Sequence, residues 1–260
     1  MNLLINNKYK IIEKLGAGCF GEIYKGENIR TQEKVAIKVE PITNNLKLLK
    51  NESIIYQYLV GTSGVPNVKW FGKDNTNYYM VLNLLGESLQ SLLNTKKTFS
   101  LKLVLQIGLQ IIFTLKSIHI KELVHRDIKP DNFLLGNNDS NKKQIYIIDF
   151  GFCKSVTNIK KTNGLIGSLT YASLNAHNYT ELSYRDDLES LGYMLIYFNQ
   201  GFLEWQTIDD IKLIIQKKQE IVDNEKIPII LRDFLKRVKQ LIFKEIPDYN
   251  SLINMLKREI

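Results

Sequence analysis

The apolar pattern of this chain changes period once, and that change limits what it can fold into. From Tyr9 to about Leu85 it is built of short β-type runs: Tyr9–Leu15, Gly21–Glu27, Lys34–Val39, Val68–Gly72 and Tyr78–Leu82, with turn-forming residues between them. One helical pattern, Leu46–Leu59, interrupts the strands. After Gly86 the spacing turns helical, over Leu101–His119, Arg185–Asn199, Ile208–Gln219, Ile229–Phe243 and Asp248–Glu259. Strands grouped first and helices grouped after predict an α+β fold of two lobes. The boundary is expected near Leu85–Ser88, with one lobe over about 1–85, the other over about 86–260, and a single domain in all. No internal repeat or long low-complexity segment breaks the pattern.

Composition agrees with a packed core. The chain has 260 residues, 44% hydrophobic and 24% charged, near globular averages, and this excludes global disorder. A formal net charge of +8 fits acidic or phosphorylated partners, and by itself also nucleic acid or a membrane surface. The two cysteines, Cys19 and Cys153, form no CxxC pair, and His119, His125 and His177 are dispersed, so neither a disulfide framework nor a zinc site is expected. The opening MNLLINNKYKII has no long apolar run, and no stretch approaches the uncharged length of a membrane span. A soluble intracellular chain, in cytoplasm or nucleus, is the expectation.

Three local patterns carry chemistry. Gly16-Ala17-Gly18-Cys19-Phe20-Gly21 is a GxGxxG, followed by the strand-like Glu22-Ile23-Tyr24-Lys25. A dinucleotide fingerprint needs a helix directly after its glycines. A strand there instead reads as a hairpin lid over a phosphate-bearing ligand. Val35-Ala36-Ile37-Lys38 stands on the next strand, and Glu52 on the helix that follows. Two solvated surface charges would be the bland account, but a lysine between apolar neighbours on a central strand argues against it. His125-Arg126-Asp127-Ile128-Lys129-Pro130-Asp131-Asn132 matches H-R-D-x-x-x-x-N, and Asp149-Phe150-Gly151 follows the strand-like Gln144–Ile148.

In this order the motifs resemble those of protein kinases. The resemblance implies the bilobal kinase fold, with ATP and Mg2+ as cofactors. It implies that Lys38 holds the α- and β-phosphates and pairs with Glu52, and that Asp127 orients or accepts the substrate hydroxyl proton. Lys129 would stabilise the moving γ-phosphoryl group, and Asn132 and Asp149 would hold magnesium. Lys129, two places after the aspartate, favours Ser/Thr over Tyr by the same analogy. Asp187, in Asp187-Leu188-Glu189-Ser190-Leu191-Gly192, would support the catalytic-loop backbone.

The resemblance narrows to the casein kinase 1 family. In place of the usual Ala-Pro-Glu, the chain has Tyr171-Ala172-Ser173-Leu174-Asn175-Ala176-His177, similar to that family's Ser-Ile-Asn form. Leu84–Leu89, Lys129–Leu134, Arg185–Tyr193 and Ile246–Tyr249 are also family-like, so the likeness runs from about Tyr9 to about Leu256. It implies that Leu15, Gly16, Ala17, Gly18, Cys19, Phe20, Gly21, Glu22 and Ile23 cover the nucleotide. Ala36 and Leu134 would sandwich the adenine, with Leu82 as gatekeeper and the backbone of Asn83 and Leu85 at the adenine edge. Ser168 takes the place of the threonine that bonds the catalytic aspartate. Acidic protein substrates and a monomer are expected, and neither nucleic acid nor membrane as partner.

Departures accompany the likeness. The stretch from Asp149 to Ser173 is short, with Ile159–Asn163 where a longer basic run is expected. Thr170 stands where the family has an arginine of an anion pocket. Gln216 falls near another basic position, beside Lys217 and Lys218, and Tyr184 replaces one arginine of a pair. A phosphate needs guanidinium or ammonium partners, so these changes weaken the expectation of pre-phosphorylated substrates. The family's extended inhibitory tail is not expected after Ile260. The competing accounts are a catalytically weak kinase-fold scaffold and a nucleic-acid module. Intact Lys38, Asp127, Asn132 and Asp149 speak against the first, and the lack of an aromatic-interleaved basic stretch against the second.

Overall fold

The computed structural model describes residues 4–18, 21–43, 48–158, 160–161 and 163–260. The chain divides into two compact units. One comprises Met1–Gly86 with Leu135–Gly151, the other Glu87–Leu134 with Phe152–Ile260.

The first unit is an antiparallel sheet of six strands: β1 (Leu4–Ile5), β2 (Tyr9–Gly18), β3 (Gly21–Asn28), β4 (Lys34–Pro41), β5 (Val68–Lys73) and β6 (Asn77–Asn83), in the order β1-β2-β3-β4-β6-β5. The two-residue period of β4 divides its side chains. Val35 and Ile37 are fully buried against Tyr79 and Val81, in a core closed by Ile5 and Tyr9. Ala36 and Lys38 therefore share the other face. Lys38 is paired with Ile23 on one side and Met80 on the other. Gly21 opens β3 at φ +134°, where a Cβ would lie 2.0 Å from the Val39 carbonyl oxygen, so no other residue fits there.

Helix α1 (Leu48–Tyr58) packs on β4, β5 and β6. Of the helical pattern expected over Leu46–Leu59, Leu46 and Lys47 lie outside the described residues. Its first turn is capped from a strand: the fully buried Glu40 accepts the N–H groups of Leu48 (3.2 Å) and Leu49 (2.8 Å). Thus β4 carries both Lys38 and the carboxylate that anchors the helix bearing Glu52.

The second unit is mainly helical: α2 (Leu89–Lys96), α3 (Leu101–His119), α4 (Leu174–His177), α5 (Tyr184–Gln200), α6 (Ile211–Glu220), α7 (Ile229–Lys239) and α8 (Tyr249–Lys257). The remaining strands are short: β7 (Leu123–Val124) and β10 (Lys154–Ser155) in the second unit, β9 (Ile145–Ile147) in the first, and β8 (Phe133–Leu135), whose last residue belongs to the first. β7 and β10 pair antiparallel. α5 is buried along nearly its whole length and packs on α3 and α7. Asp186 reaches back to the Ser183 N–H at its start (2.6 Å), and Gly201 at φ +80° ends it. Ser88, Ser100 and Asp248 cap α2, α3 and α8.

The α+β class, strands before helices, is as the sequence predicts. Details differ, and the short helices α2 and α4 are not among those expected from the sequence. α3 is, by length and composition alone, long and apolar enough to cross a membrane, contrary to the expectation that no stretch approaches one. Its packing against α5 and α8 instead makes it a core helix. α6 begins at Ile211 and not Ile208, because the Asp210 carboxylate accepts the Lys212 N–H (2.8 Å). α7 ends at Lys239 and not Phe243. Arg185 takes the Leu241 carbonyl (3.1 Å) and the Glu245 carboxylate takes the Ile242 N–H (2.8 Å), which competes with further helical bonding.

Candidate active site

In the first unit three charged groups meet. Lys38 Nζ lies 2.6 Å from Glu52 Oε2 and 3.0 Å from Asp149 Oδ1. Burial works against the lysine's charge, but the two carboxylates outweigh it and hold its pKa above the ordinary value. Burial raises the Glu52 pKa, against the pull of Lys38. A cation held between two acids at this depth is charged at any physiological pH. Asp149 sits at φ +66°, a left-handed conformation costly for a residue with a Cβ. Its N–H faces the Tyr56 hydroxyl at 3.4 Å, and Tyr56 packs edge-on against Phe150 (4.9 Å between ring centroids).

In the second unit the catalytic loop converges on Asp127, which is 3% exposed. Lys129 Nζ lies 2.6 Å from Asp127 Oδ2. Asn132 Nδ2 donates to the Asp127 carbonyl (2.8 Å) and to Oδ2 (3.2 Å). Ser168 donates its main-chain N–H to Oδ1 (3.0 Å), and Gly167 before it adopts φ +88°, where a Cβ would come within 2.6 Å of the Arg126 carbonyl oxygen. The Ser168 contact is therefore made by backbone. Asp187 ties the loop down from α5: Oδ2 accepts the His125 N–H (2.7 Å) and Oδ1 the Arg126 N–H (2.8 Å). Burial opposes the charge of Asp187, but His119 Nε2 at 3.0 Å and these N–H groups keep its pKa below the ordinary value.

The residues expected around a nucleotide are distributed as follows. Leu15, Gly16, Ala17, Gly18, Gly21, Glu22, Ile23, Ala36, Leu82, Asn83 and Leu85 belong to the first unit, and Leu134 to the second. Cys19 and Phe20 lie outside the described residues. Glu22 bonds Lys14 and Tyr24. A Cβ on Gly16 would meet nothing within 4 Å, so the protein's own packing does not demand glycine there. The open space suits close approach of a phosphate to the backbone.

The donors suit magnesium. Among the described residues no cluster of three or more His, Cys, Asp or Glu could hold a metal ion alone. Magnesium commonly takes one or two protein oxygens and completes its shell with phosphates and water. Asp149 offers a carboxylate. Asn132 reaches Asp127 through its amide nitrogen, which leaves the carboxamide oxygen as the atom to meet a cation.

Several contributors escaped sequence reasoning. Glu40 acts on N–H groups 8 and 9 residues ahead and Tyr56 on one 93 residues away, and no local pattern marks either. Lys218 is fully buried beneath the segment 169–177, and Lys217 pairs with Glu204 (3.1 Å), so the two lysines beside Gln216 are engaged elsewhere. Cys153 is buried, and burial pushes its thiol up. Tyr184 packs on His119 with ring centroids 5.0 Å apart. A family model for the protein kinase domain matches residues 9–255, a span that takes in every group just placed, and on that match the chain belongs to the protein kinase family.

Proposed function

We propose that this protein is a serine/threonine kinase of the casein kinase 1 type, moving the γ-phosphoryl group of ATP to hydroxyls of acidic protein substrates. The observation that carries this reading is Asp127, deeply buried, with Lys129 and Asn132 on one oxygen and the Ser168 N–H on the other. Such a carboxylate is held still, so it can orient a hydroxyl and take its proton. Lys129 brings positive charge to where the phosphoryl group passes. Lys38, fixed by Glu52, presents an ammonium to phosphates. Asp149 in the first unit and Asn132 in the second would each offer an oxygen to magnesium, which would supply neutralisation of phosphate charge.

The casein kinase 1 assignment is supported by Ser173 and Asn175, which both bond Asp186 Oδ1, at 2.6 and 3.0 Å. This gives the Ser-Leu-Asn sequence a structural task where other kinases have Ala-Pro-Glu. Acidic substrates are favoured by the net charge of +8. Priming phosphates are disfavoured, because Thr170 offers no cation and Lys218 is buried. An intracellular monomer completes the reading.

The test is transfer of labelled γ-phosphate from Mg-ATP to casein. The parent should label serine and threonine, and Asp127→Asn should fall by about 10²–10⁴-fold while keeping its thermal midpoint. Equal transfer by the variant, or label on tyrosine, would sink the assignment.

A further inference from the structure

The segment that leaves the catalytic carboxylate is held from below by a buried cation. Ser168 sits on Asp127 Oδ1, so the residues after it run one to four positions from the acceptor site, about 3.3–3.6 Å per residue. Three of their carbonyls are taken by side chains from later in the chain. Lys218 Nζ donates to Leu169 O (3.1 Å) and Ala172 O (2.7 Å), and Trp205 Nε1 donates to Thr170 O (2.7 Å). The third neighbour of Lys218 is His177 Nε2 at 2.9 Å. An ammonium has three N–H donors, and three acceptors meet it here. Its stem and charge lie over the rings of Tyr193 (5.1 Å) and Trp205 (5.4 Å).

The surroundings are those of a built device and not a solvated lysine. Glu189 of α5 favours the charge, while Lys239 of α7 opposes it and itself bonds the Lys218 carbonyl (2.5 Å). Glu189 also accepts the Leu174 N–H (2.9 Å) and the Tyr193 hydroxyl (2.6 Å), which binds the far end of the same segment. Burial, the dominant influence, pushes the Lys218 ammonium down to about 7, and burial with Lys218 beside it pushes His177 down to about 4. Keeping so costly a group is informative, since an apolar residue of similar length would fill the space.

We propose that Lys218, assisted by Trp205, is a substrate-positioning strut: it fixes the carbonyls of Leu169, Thr170 and Ala172, and so the platform on which residues flanking the phosphoacceptor lie. The proposal rests on the kinase reading above. It assigns Lys218 to peptide binding and not to nucleotide binding or to phosphoryl transfer. A phosphate on the substrate cannot reach this ammonium, so the strut acts on the peptide's main-chain path and not on priming charge.

The test compares the parent with Lys218→Met, which keeps most of the stem and removes every donor, and with Trp205→Phe, which removes the indole N–H and keeps a smaller aromatic ring. Peptide KM, ATP KM and kcat are measured on a serine peptide of casein sequence. Amide hydrogen exchange over 167–177 is followed on the same samples. Peptide KM should rise about tenfold in Lys218→Met and about threefold in Trp205→Phe. ATP KM should stay within about twofold, and exchange should quicken over 167–177 alone. An unchanged peptide KM in a folded variant, or an ATP KM rising in step, overturns the proposal. If Lys218→Met does not fold, Trp205→Phe decides by the same criteria. Exchange needs no turnover, so the two failures separate. A parent that transfers no phosphate refutes the kinase reading and the substrate role with it. Unchanged exchange in an active variant refutes the strut alone.

Discussion

At the scale of single residues, the buried titratable groups make the stability of this protein depend on pH in a way that can be signed. His177 has a folded pKa of about 4 against an ordinary value of 6.5, because burial and then Lys218 disfavour its charged form. Between those values the unfolded chain binds the extra proton and the folded chain does not. Stability from this group is therefore complete above about pH 6.5 and is lost as pH falls toward 4. Asp186 acts in the opposite sense. Burial raises it to about 6 from 3.8, so its folded form keeps a proton that the unfolded form releases, and its contribution is lost as pH rises through that window. The informative quantity is thus a difference between variants. Urea midpoints at pH 7 and pH 4.5 should fall less in His177→Gln than in the parent. Equal falls would show that His177 titrates normally.

At the scale of elements, the contact of α5 with α7 is set by a missing side chain. A Cβ on Gly192 would come 2.4 Å from Leu235 Cδ2 and 2.8 Å from its Cγ, and Leu235 is fully buried. Alanine in place of a helix-interior glycine gains about 1 kcal/mol in propensity. Overpacking costs about 1–3 kcal/mol and should win. Gly192→Ala should therefore lower the urea midpoint. Gly108 in α3 is the contrast, since its Cβ would meet Leu195 and Leu256 at 3.1–3.3 Å, where a small shift relieves the contact. Gly108→Ala should lie near neutral. If both variants behave alike, the close approach of α5 and α7 is not what selects glycine. Elements were readable where one periodicity sufficed: α3 was marked by apolar spacing from Leu101 to His119. Ends were less readable, because Arg185 and Glu245, which stop α7, are far from its last turn in sequence or beyond it.

For the whole molecule, function requires that the native state bind nucleotide and metal together. A ligand that binds only the folded form stabilises it by about 2.7 kcal/mol at a hundred times its dissociation constant. Mg-ATP should raise the thermal midpoint of the parent, and EDTA should remove most of that rise. Asp149→Asn should show little metal-dependent rise of its own; a full rise would take Asp149 out of the metal site. Sequence alone determined the class of fold, because the switch from a period of two to one of 3.6 runs through long segments and survives local exceptions. It also placed the motifs in order, since chemistry of this kind needs particular residue types at short spacings. Tertiary structure decided which groups share a charge. Lys38 meets Asp149, 111 residues away, beside the Glu52 that the kinase resemblance already pairs with it. It alone decided that Lys218 is buried with its ammonium on the carbonyls of Leu169 and Ala172, while Lys217 beside it pairs at the surface with Glu204. Nothing in Gln216-Lys217-Lys218 distinguishes the two lysines. The face of α6 that meets 169–177 does, because burial depends on what packs against a helix and not on the residues written along it.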